Sequence, residues 1–269
     1  MKLAFIGGGN MAHALIIGLK KQQFAMANIT VIELEASKRA ELSQNLGVTA
    51  TADLASVQAC EVIVLAIKPQ QLPALATSLA PLLSAQLLIS IAAGIRLQDL
   101  SRWLGAYPTI IRAMPNTPAQ IQAGVTGLYA MPQVSSMHMA MADQILKAAG
   151  STLWLDSEQK LDAVTAISGS GPAYVFYFIE ALHQAALALG LSEDEAKQLS
   201  YATFTGASLL ADASSTPIAT LRAQVTSKGG TTEQGLLSLE NSKVKQAIVL
   251  AAQKACERAK TLGDELGSH

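Results

Sequence analysis

Three small residues near the start of the chain have the spacing of a phosphate-binding turn. Gly7, Gly9 and Ala12 fill the three positions of the pattern G-x-G-x-x-G/A. The apolar run Leu3–Ile6 before them has the length of a buried strand, and Asn10–Lys21 continues at helical spacing. A strand, a glycine turn and a helix start together place free backbone N–H groups where a pyrophosphate accepts hydrogen bonds. We therefore predict a nucleotide site, with a glycine turn that binds nothing as the alternative.

A second glycine-containing segment, residues 225–235, combines a diglycine with hydroxyl side chains. Its sequence is VTSKGGTTEQG, in which Gly229 and Gly230 precede Thr231 and Thr232 at the start of a predicted helix. A turn of this type directs several N–H donors toward one point and is typical of sites for small anions. A plain helix cap requires neither the second glycine nor four hydroxyl groups in seven residues. We therefore predict an anion site, against the alternative of a cap between two helices.

Charged residues follow the second predicted strand. Glu33 ends that strand, where a carboxylate can bind the adenine ribose hydroxyls and favours NADH because it repels a 2′-phosphate. Lys38 and Arg39, just beyond, could accommodate that phosphate instead. A solvated charge at the end of the strand is the third interpretation, and sequence spacing does not choose among them.

Segments after the third, fourth and fifth predicted strands could also line a ligand crevice, since the carboxyl ends of parallel strands share one edge. Pro69 sets a turn in which Lys68 either covers a ribose or faces solvent. Small residues around Ala92 and Ala93 would let a nicotinamide lie against the backbone, or they simply allow a tight turn. The loop Arg112–Pro118 is stiffened by two prolines and is typical of a binding loop held on a scaffold.

The elements that position these segments alternate between strands and helices up to about residue 157. Strand-like apolar runs are predicted at residues 3–6, 29–33, 61–67, 87–92, 109–113, 125–130 and 152–155, with helices between most of them. Repeated β–α units imply a mostly parallel sheet with right-handed crossovers. We therefore predict that residues 1–157 form an α/β domain with a doubly wound sheet.

Only helices are predicted from residue 158 to residue 269. They cover about 174–189, 193–213, a segment after Pro217, 231–239 and 242–261. Ser192 and Glu195 form a capping box before the second of these helices. The first of them is apolar around most of its circumference, which predicts that it is buried on several sides.

Composition restricts the classes of partner. Only 14% of the residues are charged and 50% are hydrophobic, so we predict that a large surface is buried between subunits. A net charge of −1 and the lack of a basic run longer than Lys20–Lys21 argue against nucleic acid and anionic membranes as partners. No apolar run approaches the ~18 residues that span a bilayer. Cys60 and Cys256 lack metal-ligand spacing, and two free thiols predict a reducing cytoplasm.

The sequence lacks the usual groups of acid–base and metal catalysis. No histidine has an aspartate or cysteine partner at useful spacing, and there is no metal-binding motif or Tyr-x-x-x-Lys pair. We therefore expect no metal. A hydride acceptor that is already cationic needs no strong protein acid, which keeps a reductase among the candidate functions.

Six segments together resemble the pyrroline-5-carboxylate reductase family. They are FIGGGNMAHAL, LAIKPQ, SIAAGI, RAMPNTPA, SGSGPAYVF and VTSKGGTTEQGL. They follow the family's order and approximate spacing over nearly the whole chain, and the last is its specific signature region. The resemblance implies an N-terminal Rossmann domain followed by an all-helical C-terminal domain that forms a homodimer, or a larger assembly of such dimers. It also implies reduction of 1-pyrroline-5-carboxylate to L-proline by hydride transfer from NADPH or NADH to the imine carbon C5.

The resemblance also assigns site residues by position. With the strand-end residues above, the expected cofactor contacts are Gly7, Gly8, Gly9, Asn10, Met11, Glu33, Lys68, Pro69, Ala92, Ala93 and Asn116. The expected substrate contacts are Ser227, Gly229, Gly230, Thr231 and Thr232. Backbone N–H groups of this loop are expected to take the substrate carboxylate. The Thr232 hydroxyl is expected to approach the ring nitrogen, which makes Thr232 the expected catalytic residue.

The chain departs from the family at three places. Lys228 stands where the family usually has proline, and the segment Ser214–Pro217 replaces one that often carries an acid and a histidine. Glu33 replaces the small or amide residues common in relatives that prefer NADPH. The expected cofactor is NADP(H), with NAD(H) as the alternative.

Two other functions fit parts of the same pattern. Another imine reductase or a 3-hydroxyacid reductase could share the two-domain plan. The 3-hydroxyacid type needs a catalytic lysine in the helical domain, for which Lys160 is the nearest candidate. A nucleotide-sensing protein without turnover is the second rival, and oxidation of NAD(P)H would exclude it.

Overall fold

The first strand, β1 (Leu3–Ile6), shows how the apolar runs are divided between the two faces of a sheet. Leu3 and Phe5 pack into one buried cluster, while Ala4 and Ile6 pack into another. Because successive side chains of a strand point to opposite faces, a continuous apolar run is buried on both sides. Helices accordingly cover both faces of the sheet in the computed structural model, which describes residues 1–267.

Eight strands form one sheet within those residues, in the order β3-β2-β1-β4-β5-β6-β7-β8. The strands after β1 are β2 (Ile29–Ile32), β3 (Thr49–Thr51), β4 (Val62–Leu65), β5 (Leu87–Ser90), β6 (Ile110–Met114), β7 (Gly124–Ala130) and β8 (Gly150–Trp154). Strands β1 to β6 are parallel, whereas β7 is antiparallel to β6 and parallel to β8. The β6–β7 connection is too short for a crossover helix, so the chain reverses direction there.

Six helices of the first 170 residues flank this sheet or follow it. They are α1 (Asn10–Lys21), α2 (Ala36–Leu46), α3 (Leu72–Leu79), α4 (Leu97–Trp103), α5 (Ser136–Lys147) and α6 (Lys160–Val164), which continues as a π-helical turn over Thr165–Gly169. Side chains of α1, α2 and α5 join the cluster that contains Leu3, and those of α3 and α4 join the cluster that contains Ala4. This is the doubly wound arrangement that the sequence predicts.

The rest of the described chain is helical. Its helices are α7 (Gly171–Ala188), α8 (Glu193–Asp212), α9 (Ile218–Gln224), α10 (Thr231–Asn241) and α11 (Val244–Gly267). Two compact units result: Met1–Ser170 together with the chain from Lys254 onward, and Gly171–Gln253. The capping box of Ser192 and Glu195 is formed as predicted. Among residues 1–267, every helix falls short of the length and apolar character that a membrane span requires.

Several sequence predictions differ from this structure. Strand β3 was not predicted, because its three residues are too few to show a period. The predicted burial of the apolar helix is wrong for the single chain, since no residue of α7 is buried. The compact units divide at Ser170, and the end of α11 belongs with the first unit. The functional boundary at residues 157 and 158 stays a prediction, and residues 268 and 269 of the second predicted domain lie outside the described chain.

Candidate functional site

The glycine turn after β1 has a backbone that only glycine fits. Gly7 has a φ of 99°, and its N–H donates a hydrogen bond to the carbonyl of Ile32 at 2.8 Å. A Cβ atom at Gly7 would lie 2.5 Å from the carbonyl oxygen of Ala66. The positive φ and this close approach together exclude other residues at reasonable cost. The turn therefore joins the carboxyl ends of β1, β2 and β4.

A cavity of about 690 Å³ opens at those strand ends. Its lining includes Gly7, Gly8, Gly9, Glu33, Lys38 and Lys68. A Cβ atom at Gly9 would meet no heavy atom within 4 Å, so space for a ligand lies directly against the backbone. Gly9 is also the N-cap of α1, whose first-turn N–H groups have no partner within the helix. Volume, donors and helix dipole all fit a dinucleotide diphosphate.

The carboxylate of Glu33 accepts hydrogen bonds from backbone N–H groups at this cavity. Its Oε2 accepts a hydrogen bond from the N–H of Gly8 at 3.2 Å, and its Oε1 accepts one from the N–H of Glu35 at 3.0 Å. The structure thus places Glu33 at the cavity rather than in bulk solvent. A predicted ribose contact is compatible with this position.

The two cations that follow β2, Lys38 and Arg39, make different contacts. Arg39 donates from Nη1 to the carbonyls of Glu33 and Leu34, at 2.9 and 2.7 Å, and so holds the turn after β2. Lys38 lines the cavity and pairs with Glu35 at 2.8 Å. The hydrogen bond from Lys38 lowers the pKa of the Glu35 carboxyl, and Glu35 in turn raises the pKa of Lys38. Of the two cations, Lys38 is therefore the one that lines the cavity.

The other predicted cofactor contacts are spread around the first unit. Lys68 lines the cavity, whereas Asn10, Met11, Pro69, Ala92, Ala93 and Asn116 are not among its lining residues. Asn10 and Met11 begin α1, and Pro69 begins the turn that leads to α3. Ala92 is buried at 4% exposure, and its N–H donates to the Ser90 hydroxyl at 3.4 Å. Any contact of Ala92 with a cofactor would therefore use its backbone.

Asn116 connects three segments through its carboxamide. Its Oδ1 accepts a hydrogen bond from the N–H of Val125 at 2.9 Å, and its Nδ2 donates to the carbonyl of Ser168 at 3.1 Å. It thereby joins the loop after β6 to the start of β7 and to the π-helical turn. The sequence predicted a rigid loop here but did not indicate that Asn116 connects these segments.

An ion pair of the buried Arg112 was also not predicted from the sequence. Arg112 lies in β6 with a 7% exposed side chain and pairs with Glu158 at 2.9 Å. Glu158 also accepts a hydrogen bond from the N–H of Leu97 at 2.8 Å, and Asp162 lies 3.9 Å from the guanidinium. The signal in the sequence was an arginine inside an apolar strand, since a buried charge requires a partner.

The diglycine segment has a different donor arrangement from the one the sequence suggests. Gly229, with a φ of 75°, donates its N–H to the Glu233 carboxylate at 2.7 Å. Gly230 donates its N–H to the carbonyl of Ser227 at 3.0 Å and has a negative φ of −83°. Both glycine N–H groups are therefore occupied within the loop.

The available donors belong to the first turn of α10. Within the described chain, the structure gives no acceptor to the N–H groups of Thr231, Thr232 or Glu233, and both threonines are exposed. Ser227 and Lys228, also exposed, begin the same loop. These first-turn N–H groups and the helix dipole suit a small carboxylate.

The remaining candidates for catalysis have ordinary surroundings. Lys160 pairs with the exposed Asp156 at 2.7 Å, which does not support a role as a catalytic lysine. His183 pairs with Glu193 at 3.1 Å. Among residues 1–267, no group of three or more His, Cys, Asp or Glu side chains is placed to hold a metal ion.

Comparisons with known proteins agree over the whole chain. Residues 158–262 match the family described as pyrroline-5-carboxylate reductase dimerisation, and residues 2–94 match the one described as NADP oxidoreductase, coenzyme F420-dependent. The pyrroline-5-carboxylate reductase of Pseudomonas aeruginosa is 42% identical over 268 residues, which are 97% of this chain and 98% of that protein.

Two solved structures are similar throughout. A pyrroline-5-carboxylate reductase from Coxiella burnetii has a TM-score of 0.93 and 37% identity, covering 97% of this chain and 98% of its own. The Plasmodium falciparum pyrroline carboxylate reductase with NADP bound has a TM-score of 0.86 and 30% identity, covering 98% of both chains.

Proposed function

This chain belongs to the pyrroline-5-carboxylate reductase family, and we propose that it reduces 1-pyrroline-5-carboxylate to L-proline with a reduced nicotinamide cofactor. The observation that carries the proposal for this chain is the first turn of α10. Its free N–H groups follow the left-handed Gly229 and include that of the exposed Thr232. A site of this kind suits a substrate with a carboxylate next to a ring nitrogen.

The residues of the chain bind and orient rather than supply a strong acid. The turn at Gly7, Gly8 and Gly9 holds the diphosphate of the cofactor, which supplies a hydride when bound. The first turn of α10 holds the substrate carboxylate, and Thr232 hydrogen-bonds the ring nitrogen. Carbon C5 of the imine takes the hydride, and the nitrogen, protonated before or during transfer, becomes the secondary amine of proline. Orientation is the main contribution of the protein.

The cofactor preference is proposed from the groups at the ribose end of the cavity. Lys38 supports NADP(H), because its ammonium lines the cavity and can pair with a 2′-phosphate. Glu33 supports NAD(H), because its carboxylate lies at the same end. We assign NADP(H) as the cofactor, with NAD(H) as a second substrate of the same site. A relative with NADP bound supports this choice.

We propose a homodimer through the helical segment 171–253, because very few residues of this segment are buried in the single chain. Between residues 171 and 253 only Ala196 and Ser200 are buried, while Phe176, Tyr177 and Leu209 are among the exposed apolar side chains. An exposed apolar surface of this extent marks an interaction site. Stable dimers of this type bury upward of about 2,000 Å². Light scattering is expected to give a dimer or an assembly of dimers at micromolar concentration, and an active monomer would contradict the proposal.

The decisive experiment is an assay with racemic 1-pyrroline-5-carboxylate. The purified chain should oxidise NADPH or NADH and release L-proline, identified by chromatography against a standard. Omission of the imine is the control. Binding of a reduced nicotinamide without turnover would favour the nucleotide-sensing alternative. Two unpaired cysteines, Cys60 and Cys256, are compatible with a reaction in the reducing cytoplasm.

A further inference from the structure

The carboxyl-terminal end of α11 packs against the loop that follows β5. Gly94 of that loop has a φ of 79°, and a Cβ atom there would lie 3.1 Å from the Leu262 Cγ and 3.2 Å from the Leu266 Cδ1. On the helix side, a Cβ atom at Gly263 would lie 3.1 Å from the carbonyl oxygen of Gly94. Glycine on both sides thus allows the helix backbone to approach the loop backbone closely.

Polar contacts fix the same loop in place. The Arg96 guanidinium pairs with the Asp264 carboxylate at 2.7 Å and donates to the carbonyl of Lys260 at 3.3 Å. At the end of the loop, the N–H of Leu97 donates to the partly buried Glu158 carboxylate at 2.8 Å. The loop between Ala92 and Leu97 is therefore held by the last helix of the chain on one side and by the Arg112–Glu158 pair at its end.

This loop begins with the residues assigned to the nicotinamide half of the cofactor. Because Ala92 and Ala93 have small side chains, a ligand there would contact mainly their backbone atoms. A displacement of the loop therefore moves the atoms that contact the ligand. A misplacement of about 1 Å at such a site costs up to about 100-fold in rate. The end of α11 can therefore determine the position and orientation of the bound nicotinamide ring, although α11 is distant in sequence from the glycine turn.

We infer that the end of α11 is a positioning element for the nicotinamide part of the cofactor site, acting through the loop after β5. Asp264 and Gly263 are the positioning residues, and neither is a catalytic residue. The inference rests on the proposed function, because it takes the ligand at Ala92 and Ala93 to be a nicotinamide. The Asp264–Arg96 pair is largely exposed, at 65% and 40% of the two side chains, so its loss has little effect on the fold.

Adjacent residues on α11 provide a matched pair of variants. Asp264→Ala removes the pair with Arg96, whereas Glu265→Ala removes an exposed pair of Glu265 with Arg258, at 2.6 Å, that does not touch the loop. Each variant removes a carboxylate that pairs with an arginine, and the two positions are adjacent on α11. Calorimetric titration of the intact protein with NADH, and separately with ADP-ribose, then separates the nicotinamide half from the adenosine half.

Asp264→Ala is expected to weaken NADH binding about threefold to fivefold, which is the effect of one surface ion pair. It should leave ADP-ribose binding within about twofold, and Glu265→Ala should leave both ligands within about twofold. Gly263→Ala is expected to weaken NADH binding by pressing on the Gly94 carbonyl, although alanine favours the helix. The KM for 1-pyrroline-5-carboxylate should not change in any of the three variants.

Three outcomes would overturn the inference. The first is unchanged NADH affinity in both Asp264→Ala and Gly263→Ala. The second is an equal loss for NADH and ADP-ribose, because that would indicate a general effect on the first unit. The third is an equal loss in Glu265→Ala, since its ion pair lies outside the loop. A wild-type chain that binds no reduced nicotinamide would instead overturn the proposed function, and the inference with it.

Discussion

The carboxylate of Glu33 accepts a hydrogen bond from the N–H of Gly8, with 3.2 Å between the two atoms. One donor of the phosphate-binding turn is therefore occupied by an acidic group of the chain itself. The same carboxylate lines the cavity at the strand ends, with Lys38 among the other lining residues. On the proposed binding mode, a 2′-phosphate approaches this carboxylate, and Lys38 is a nearby cation that can offset the repulsion.

Replacement of Glu33 should change cofactor preference. Glu33→Ser is expected to raise the NADPH-to-NADH ratio of kcat/KM by about 5–30-fold, corresponding to ~1–2 kcal/mol for removal of a partly solvated like-charge contact. The measurement is steady-state kinetics with both cofactors. Glu41→Ser, on the exposed face of α2, is the control and should alter the ratio by no more than about twofold. An unchanged ratio in Glu33→Ser would mean that the phosphate is bound elsewhere.

The two glycines of the substrate loop should respond differently to alanine. Gly229 has the positive φ and Gly230 does not, so backbone strain from an alanine is expected at Gly229 alone. A Cβ atom at Gly230 would instead lie 2.4 Å from the Ser227 Oγ. Gly230→Ala is expected to raise the KM for the imine about tenfold, a clash of roughly 1–3 kcal/mol.

Rescue of Gly230→Ala tests that clash directly. The double variant Ser227→Ala with Gly230→Ala should return to within about threefold of Ser227→Ala alone, because the clashing oxygen is gone. The KM for the cofactor should stay unchanged throughout. Gly229→Ala should not be rescued by Ser227→Ala, since its Cβ has no neighbour within 4 Å and its cost is backbone strain.

Thr232 is predicted to act on the reacting nitrogen. Thr232→Val keeps the shape of the side chain and removes one hydroxyl, so kcat should fall about 10–100-fold, equivalent to one hydrogen bond of roughly 1.5–3 kcal/mol. Thr231→Val is the comparison, because it changes the preceding exposed residue of the same turn. A normal kcat would make the hydroxyl a helix cap only. Complete loss of activity in a folded protein would make it an essential acid.

Glu233 is predicted to support the substrate loop through the N–H of Gly229. Glu233→Ala should raise the KM for the imine about fivefold with little change in kcat, because the first turn of α10 loses the group that orders the segment before it. Glu195→Ala is a matched control, since the Glu195 carboxylate caps α8 in a similar way through Ser192. Both should lose comparable stability in chemical unfolding, because each loses a carboxylate at a helix start. A similar rise in KM in both variants would contradict a specific role.

The buried pair of Arg112 and Glu158 should contribute strongly to stability. Glu158→Ala removes the nearer carboxylate from Arg112, to which Asp162 remains at 3.9 Å, and leaves the N–H of Leu97 without its acceptor. It is expected to lower the free energy of unfolding by about 2–3 kcal/mol. Asp156→Ala breaks an exposed pair with Lys160 and should lower the free energy of unfolding much less, because solvent screens that pair. Urea titration of both variants measures the difference. Equal losses of unfolding free energy in the two variants would show that the Arg112–Glu158 pair is more solvated than its geometry indicates.

Local features of this protein were determined by the sequence alone. The end of α2 at Gly47 and the capping box of Ser192 with Glu195 each depend on residues within one or two helical turns. The glycine pattern that begins at Gly7 is also a local signal in the sequence. Strand and helix periods are local as well, so the α/β order and the helical remainder could be predicted. The site segments themselves were found in this way.

Tertiary structure decided which groups of those segments remain available to a ligand. The Gly8–Glu33 bond spans 25 positions of the chain and the Arg112–Glu158 pair spans 46. The contact of Arg96 with Asp264 joins the loop after β5 to the last helix. None of these pairings leaves a period or a spacing in the sequence, because each depends on how separate elements pack. Local order is encoded in neighbouring residues, whereas the partners of a buried or shared donor are selected only when the chain is folded.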